Sequence, residues 1–360
     1  FGLRKSGKTS VLLQLEPILS ANAVVRIDLQ KYEGRARYGG QIFGEILAAM
    51  AAKPNITGPV PPEFVSGFAK DVPAGELGFE FSRKFGKLVE VLSQSGYQTP
   101  IICALDEIER ILPSSSHPKE AVEEFNSLFG TLRALSQEKR TLALLVTDVH
   151  PDCNRINQWQ QQGVTTNPVY SFFKEMYLLP FGKEDTSDML DGIGRLMGLE
   201  LDESLIGTVY QASGGHPYLA RQLASLVVSK TASERLDLVS GNQYVEQPFY
   251  YSAPLKNYFG ENIWGDLSKR HFNSAMAVLR VLASSSEVEE IVSRESLEKK
   301  LGSVFSAGQL LDAFLWLTDV GLVVQQTNRG GNGYAMRLPL LRRWLQMEMT
   351  EREKAEWQLH

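Results

Sequence analysis

The first nine residues carry the pattern that most constrains this chain, because Gly2-Leu3-Arg4-Lys5-Ser6-Gly7-Lys8-Thr9 fits G-x-x-x-x-G-K-[ST]. In such a turn, glycines let successive backbone N–H groups point at one anion, the lysine adds positive charge, and the hydroxyl that follows reaches a metal ion. A turn of this kind joins a buried strand to a helix, so it predicts an α/β domain with a nucleotide phosphate site. We expect this site to be formed by Gly2, Arg4, Ser6, Gly7, Lys8, Thr9 and Ser10.

The pattern starts very early in the chain. Only Phe1 stands where the strand before the turn belongs, and that strand would lie in the middle of the sheet. We therefore expect the first strand to be missing from this sequence, and the full protein to begin earlier, with room for a further N-terminal domain.

Composition and charge narrow the class of protein. With 360 residues, of which 43% are hydrophobic and 22% charged, the chain has the profile of a soluble protein with more than one domain. Its net charge of -5 gives no general attraction to nucleic acid. Cys103 lies in an apolar run and Cys153 in a predicted polar loop, which favours two unpaired thiols in a reducing cytoplasm. No apolar stretch approaches the roughly 20 residues that a membrane span needs.

Strands and helices alternate after the turn, as in a parallel sheet covered by helices. The pattern predicts helices at 10–19, 41–52 and 79–95, strands at 23–29, 100–105, 140–146 and 175–181, and an irregular connection at 53–73. The 100–105 strand is apolar throughout, as expected for a strand that is buried on both faces.

An acidic pair, Asp106-Glu107, follows this buried strand. Hydrolysis of a nucleoside triphosphate requires one carboxylate that holds Mg²⁺ and a second group that polarises the attacking water. We assign the metal to Asp106 together with Thr9, and the water to Glu107. Alone, the pair is equally compatible with a strand-ending turn of solvated charges. The phosphate loop that begins at Gly2 favours the catalytic interpretation.

Thr147 follows the 140–146 strand, where a polar side chain can reach between the terminal phosphate and the attacking water. We predict that it acts with Glu107 and Lys8 in catalysis, although a hydroxyl that caps the strand end fits the pattern equally well. No Asn-Lys-x-Asp guanine-reading motif occurs in the sequence. The expected ligands are therefore ATP or ADP with Mg²⁺.

From residue 182 the pattern becomes helical. Segments at 186–197 and 202–212 lead to Gly214-Gly215-His216-Pro217, where a tight turn runs directly into a helix. From the residues alone, this turn is equally well explained as a helix cap with a buried proline.

Four segments, GLRKSGKTS, ICALDEIERILP, MYLLPF and SGGHPYLARQLA, resemble the STAND class of AAA+-related ATPases, including its prokaryotic and archaeal branch. The resemblance implies an α/β P-loop NTPase with an AAA+-like parallel sheet, followed by an all-helical lid and a winged-helix domain. It also implies that His216 and Pro217 contact the base or the phosphates from the lid, and that Arg221 senses the phosphate state. An ordinary surface arginine remains the alternative for Arg221.

The C-terminal pattern fits a winged helix. Helices at 272–284, 295–301 and 309–320 are followed by a strand at 321–326, a turn at 328–331 and a returning segment at 334–338. The helix that would enter a DNA groove, 309–319, has two acids and no Lys or Arg, whereas proteins that read DNA need cations. Contact with nucleic acid is therefore not favoured. The cations that remain for a nucleic-acid backbone are Arg329, Arg337, Arg342 and Arg343.

The predicted domains are a nucleotide-binding domain at 1–181, a helical lid at 182–265, a winged-helix domain at 266–350 and a tail at 351–360. The resemblance implies a slow, regulatory ATPase in which nucleotide state controls domain opening and homo-oligomerisation, in signalling or in bacterial antiviral defence. Effector and sensor domains would lie outside this sequence. A neighbouring subunit is expected to supply an arginine to the site, and the candidates are Arg110, Arg133, Arg140 and Arg155.

Two other classes of function remain open at this point. One is a DNA-remodelling ATPase of the origin-binding or transposition-helper type, in which the winged helix contacts DNA. The other is a scaffold that holds a nucleotide with negligible turnover.

Overall fold

The computed structural model describes residues 1–57, 60–65, 68, 74–113, 119–157, 166–231, 235–236, 253–285, 291–328 and 331–348. The chain divides into two compact units. The sheet unit consists of Phe1 and Lys8–Met176, and the helical unit consists of Gly2–Gly7 and Tyr177–His360.

A parallel sheet of three strands forms the centre of the sheet unit. Its strands are β1 (Asn22–Asp28), β2 (Gln98–Asp106) and β3 (Leu142–Val146), in the order β1-β2-β3. Asp28 is in register with Asp106, and Leu105 with Val146. Because the strands are parallel, their carboxyl ends meet at one edge of the sheet. This edge therefore brings together the residues that follow β2 and β3.

Helices of the sheet unit pack their apolar residues against one another and against this sheet. These helices are α1 (Lys8–Ile18), α2 (Gly39–Ala51), α3 (Pro62–Val65), α4 (Ala74–Gln94), α5 (Lys119–Arg133) and α6 (Asp152–Arg155). In α4, large apolar side chains recur every three or four residues, as a helix with one buried face requires. One of them, Phe81, is fully buried and stacks on Phe43 of α2 with ring centroids 4.0 Å apart. The result is one continuous core on α2, α4, α5 and the strands.

The strand predicted at 175–181 is absent from the structure, so that prediction is wrong. A strand exists only where a neighbouring strand supplies a ladder of hydrogen bonds. In this segment, isolated backbone hydrogen bonds are found instead of a ladder. Met176 O accepts from the Phe1 amino group at 2.6 Å, and Phe181 N donates to Gly215 O at 2.9 Å. Within the described sheet β3 is consequently an edge strand, and its Leu145 is 37% exposed.

Both cysteines are buried and free of disulfides. The prediction that Cys153 lies in a polar loop is wrong, since the residue belongs to α6 and its side chain packs into the core of the sheet unit. No helix among the described residues combines the length and the apolar character that crossing a membrane requires.

The helical unit is built from nine described helices and two small sheets. Its helices are α7 (Lys183–Leu196), α8 (Glu203–Ser213), α9 (Pro217–Thr231), α10 (Ala253–Asn257), α11 (Gly265–Lys269), α12 (Asn273–Ser284), α13 (Arg294–Leu301), α14 (Ala307–Asp319) and α15 (Pro339–Glu348). A π-helical turn spans Tyr258–Trp264. The strands are β4 (Glu200–Leu201), β5 (Arg235–Leu236), β6 (Val292–Ser293), β7 (Val323–Asn328) and β8 (Gly331–Met336), and the last three form an antiparallel sheet in the order β6-β8-β7.

Polar caps mark where several of these helices start. The Asp202 carboxylate accepts from Ser204 N before α8, and the Ser293 hydroxyl accepts from Ser296 N before α13. Before α14, Ser306 and Gln309 form a capping box, in which each side chain bonds to the other residue's backbone. These caps explain why α8, α13 and α14 begin close to the predicted positions. Arg329 and the predicted tail at 351–360 lie outside the described residues.

Candidate functional site

Thr9 and Asp106 form the contact around which the candidate site of the sheet unit is arranged. Thr9 lies in the first turn of α1, and its Oγ1 donates to Asp106 Oδ2 at 2.8 Å across 97 residues of sequence. Asp106 ends β2 and is only 4% exposed. A hydroxyl and a carboxylate are hard oxygen ligands of the kind that Mg²⁺ selects, and Mg²⁺ is ordinarily held by one or two such groups plus phosphates and water. The two residues predicted to hold the metal therefore fit it.

Thr147 joins both members of the acidic pair. Its Oγ1 donates to Asp106 Oδ1 at 2.5 Å and accepts from the Glu107 backbone N at 3.0 Å. Both oxygens of Asp106 are thus hydrogen-bonded, one to Thr9 and one to Thr147. This arrangement fixes the direction in which the buried carboxylate points. A contact of Thr147 with a terminal phosphate remains a prediction.

Glu107 has a strained backbone and an ionic partner. Its φ is 59°, in the left-handed region that residues other than glycine rarely adopt. Its Oε2 accepts from Arg110 Nε at 2.8 Å, and Arg110 Nη1 lies 3.0 Å from Glu33 Oε2. Burial alone lowers the pKa of Arg110, but the hydrogen bond and charge of Glu107 and the charge of Glu33 outweigh it and raise the pKa. Arg110 therefore stays cationic and holds the Glu107 carboxylate.

The other candidate arginines lie elsewhere in the sheet unit. Arg133 Nη1 donates to Pro168 O at 2.9 Å, and Arg155 Nε donates to Glu175 Oε1 at 3.0 Å. Arg140 is exposed and has a φ of 53°. Among the four arginines predicted as candidates for a neighbouring subunit's site, Arg110 contacts Glu107 of the acidic pair of its own chain.

The phosphate loop has the backbone geometry of an anion-binding turn. Ser6 N donates to Leu3 O at 3.2 Å, while Lys5 and Gly7 have φ values of 60° and 101°. A Cβ on Gly2 would lie 2.9 Å from Ser6 Oγ and 3.3 Å from Leu178 O, so a larger residue there would require Ser6 to move. No atom lies within 4 Å of a Cβ built on Gly7, so its glycine is required by the backbone angle and not by a close neighbour.

The residues that follow the loop occupy the first turn of α1. Lys8 is partly buried, whereas Thr9 and Ser10 are exposed at the helix start. Unpaired N–H groups and the helix dipole favour negative charge at such a terminus. Arg4 is partly exposed within the loop. Contacts of this segment with phosphates remain a prediction.

His216 lies in a rigid turn of the helical unit. Cβ atoms on Gly214 and Gly215 would each lie 2.1 Å from a backbone oxygen, those of Arg337 and Phe181 respectively. His216 is 1% exposed, and its Nε2 lies 2.9 Å from the hydroxyl of Tyr258. Pro217 begins α9, and Arg221 is exposed one turn further along this helix. The structure therefore places His216 and Pro217 at a fixed helix start and Arg221 at the surface.

Three residues that sequence analysis missed contact the phosphate loop or are part of it. The Tyr258 hydroxyl donates to Arg4 O at 2.9 Å, across 254 residues of sequence. Lys5 Nζ lies 4.1 Å from the ring centroid of Tyr218, a cation–π contact. No local pattern marks Tyr258, because its role depends on this long-range contact. Lys5 occupies one of the unspecified positions of the loop pattern, so the pattern assigns it no role.

Comparison with known proteins adds a likeness of fold. No model of a known protein family matches the chain, and no curated protein matches it. Among solved structures, the Walker-type ATPase PABY2304 of Pyrococcus abyssi is similar with a TM-score of 0.61 at 16% identity, over 96% of this chain and 89% of that chain. The RuvB Holliday junction branch migration motor of Thermotoga maritima, at 14% identity over 92% of each chain, has a TM-score of 0.32, too low to support an argument. The chain therefore has a mixed α/β fold with a parallel sheet, consistent with a P-loop NTPase.

Proposed function

We propose that this chain binds and hydrolyses ATP and acts as a nucleotide-controlled switch of the STAND type. The observation that carries the proposal is the hydrogen bond between Thr9 and Asp106. It joins the end of the phosphate-loop motif to the acidic end of a buried strand, and these are the two parts that a Mg²⁺–triphosphate site requires.

Each residue of this site has a role that follows from its chemistry. The loop amides and Lys8 hold the phosphates, and Thr9 and Asp106 hold Mg²⁺, which neutralises charge on the phosphate oxygens. Glu107 accepts a proton from the water whose oxygen bonds to the γ-phosphorus. The bond from that phosphorus to the bridging oxygen breaks, so ADP and phosphate leave, and Glu107 returns its proton to solvent. Thr147 keeps the two acids in place for this step.

The remaining predicted contacts belong to the same proposal. His216 and Pro217 contact the base or the phosphates, and Arg221 responds to the phosphate state. The base is adenine, because the sequence has no guanine-reading Asn-Lys-x-Asp motif. The fixed Gly214-Gly215 turn and the buried position of His216 support a role in which this histidine has one defined orientation.

The composition of α14 favours a switch over a DNA motor. α14 occupies the position of the groove-reading helix in the predicted winged helix, yet it carries no Lys or Arg. It exposes apolar side chains instead, with Leu311 42% and Leu315 50% exposed. Such a surface suits contact with protein better than contact with phosphates. Nucleotide state then controls opening and homo-oligomerisation, with effector and sensor domains outside this sequence, in signalling or bacterial antiviral defence.

Nucleotide binding is tested with Lys8→Ala and a fluorescent ATP analogue. Loss of one charge-assisted contact to phosphate should weaken affinity about 10- to 100-fold. Lys31→Ala is the matched control, because Lys31 is an exposed lysine of the same unit whose partner is Glu45. Equal affinity in Lys8→Ala and Lys31→Ala would refute the site.

Turnover is tested with Glu107→Gln. Removal of the general base should lower the hydrolysis rate by about 100-fold or more while ATP binding persists. If the wild-type protein binds ATP without measurable hydrolysis, the result would favour a scaffold that holds a nucleotide over an ATPase. Duplex DNA bound with an affinity that falls steeply with salt would favour the DNA-remodelling function over the switch.

A further inference from the structure

A buried chain of polar groups connects the phosphate loop to the His216 turn. Tyr258 lies in the middle of this chain, with its hydroxyl 2.9 Å from Arg4 O and 2.9 Å from His216 Nε2. Tyr258 and His216 are each 1% exposed. We propose that Tyr258 is a positioning residue of the nucleotide site, which sets the direction of the Lys5 N–H in the phosphate loop and holds His216 in its Nε2–H form. This inference rests on the proposed nucleotide site.

The direction of the hydrogen bonds follows from what each group can do. A carbonyl oxygen only accepts, so the single hydroxyl hydrogen of Tyr258 goes to Arg4 O. The hydroxyl oxygen is then the acceptor for His216, whose Nε2 must carry a hydrogen. Burial, with a smaller contribution from Tyr218, raises the pKa of Tyr258, so its hydroxyl keeps the hydrogen that it donates.

The effect on the loop follows from the geometry of the peptide bond. The Arg4–Lys5 peptide is trans, and in a planar trans peptide the C=O and the N–H point in opposite directions. A bond that fixes Arg4 O therefore also fixes the Lys5 N–H on the opposite side of the loop. Lys5 needs such support because its φ is 60°, which is unfavourable for a residue other than glycine. Loop amides held in one direction bind an anion without the cost of ordering them first.

The surroundings of Tyr258 reinforce its position. It begins the π-helical turn Tyr258–Trp264, an irregularity that is frequent at functional sites. Its ring lies 4.9 Å from that of Tyr218 and 5.4 Å from that of His216, measured between centroids. Lys5 Nζ lies over Tyr218 at 4.1 Å, so the loop has a second contact to this cluster that does not use the Tyr258 hydroxyl. Removal of that hydroxyl should weaken the site without releasing the whole loop.

Tyr258→Phe tests the proposal because it deletes one oxygen and keeps the ring. We expect its affinity for ADP and ATP to fall about 3- to 10-fold, the effect of one hydrogen bond. Tyr38→Phe is the matched control, since Tyr38 is also buried and also donates to a backbone carbonyl, that of Ile111 in the sheet unit at 3.4 Å. It should bind both nucleotides as the wild type does.

The imidazole of His216 gives a readout that packing alone would not change. In nitrogen-15 spectra of histidine-labelled protein, the signals of His216 are those that are present in the wild type and absent in His216→Asn. In the wild type, their chemical shifts should be those of a neutral ring with hydrogen on Nε2. In Tyr258→Phe these signals should shift, because the Nε2 hydrogen loses its acceptor. The wild-type spectrum needs no variant of Tyr258, so it remains decisive if Tyr258→Phe fails to fold.

Two results would overturn the inference: wild-type affinity in Tyr258→Phe, or a wild-type His216 ring with hydrogen on Nδ1 alone. Its failure is distinct from failure of the proposed function. If Lys8→Ala loses nucleotide and Tyr258→Phe does not, only the role of Tyr258 is wrong. If Lys8→Ala binds nucleotide normally, the nucleotide site itself is wrong.

Discussion

Glu107 is held from two sides. Its backbone N–H donates to Thr147, and its carboxylate accepts from Arg110, which also lies beside Glu33. A general base must be free to reach its water. In this arrangement the carboxylate is engaged by a cation of its own chain, so the salt bridge competes with the catalytic role proposed for Glu107.

Arg110→Gln should therefore raise the rate of ATP hydrolysis. A partly exposed ion pair is worth at most about 1 kcal/mol, so the increase should be no more than about fivefold. Arg294→Gln is the control, because Arg294 forms an exposed pair with Glu298 on α13. Steady-state phosphate release under saturating ATP measures the effect. A lower rate in Arg110→Gln would mean that Arg110 positions Glu107 for catalysis instead of restraining it.

The buried thiols predict how stability changes at alkaline pH. Burial raises the pKa of Cys103 from 9.0 to about 12. Between these values the unfolded chain loses the thiol proton while the native chain keeps it, so the free energy of unfolding falls as pH rises. The slope from one such group approaches about 1.4 kcal/mol per pH unit.

Urea unfolding of wild type and Cys103→Ala at a series of pH values above 8.5 or so measures this slope. The wild type should lose stability more steeply with pH than the variant. Parallel curves would show that Cys103 ionises with the same pKa in both states.

At the scale of elements, the turn between α8 and α9 depends on its glycines. Gly214 has a φ of 61°, and a Cβ there would lie 2.1 Å from Arg337 O. Gly214→Ala should therefore lower the free energy of unfolding by at least about 2 kcal/mol, through backbone strain and the clash. Thermal and urea unfolding measure the loss.

Gly207→Ala is the control on the same helix. Gly207 lies inside α8, and a Cβ at this position would have no atom within 4 Å. Alanine in a helix interior should stabilise the protein by up to about 1 kcal/mol. Equal effects of the two substitutions would contradict the strained turn.

Elements that depend on short stretches of sequence could be predicted, whereas the roles of the site residues stay predictions. The Gly-rich loop, the acidic end of β2 and the capped C-terminal helices each have a local pattern, and the structure contains these elements close to the predicted positions. The strand at 175–181 could not be excluded from its apolar residues, because a strand also requires a partner. The contacts of Tyr258 with Arg4 and of Glu33 with Arg110 join distant segments, so no spacing in the sequence indicates them.

At the scale of the whole molecule, the proposed activity depends on a metal site formed by two segments of the sheet unit that are distant in sequence. Thr9 lies in the first turn of the unit's first helix, and Asp106 ends its central strand. The affinity for a nucleotide bound there should depend on Mg²⁺, since phosphate and protein oxygens coordinate the same ion. Asp28 provides an internal comparison. It ends the neighbouring strand in register with Asp106, but it is exposed and accepts from Gln30 N.

The most direct test is calorimetric titration of ATP in Mg²⁺ and in EDTA, with wild type, Asp106→Asn and Asp28→Asn. Mg²⁺ should tighten binding to the wild type and to Asp28→Asn, and it should have little effect on Asp106→Asn. The same Mg²⁺ dependence in all three proteins, or no ATP binding by the wild type, would contradict a Mg²⁺–ATP site at Thr9 and Asp106.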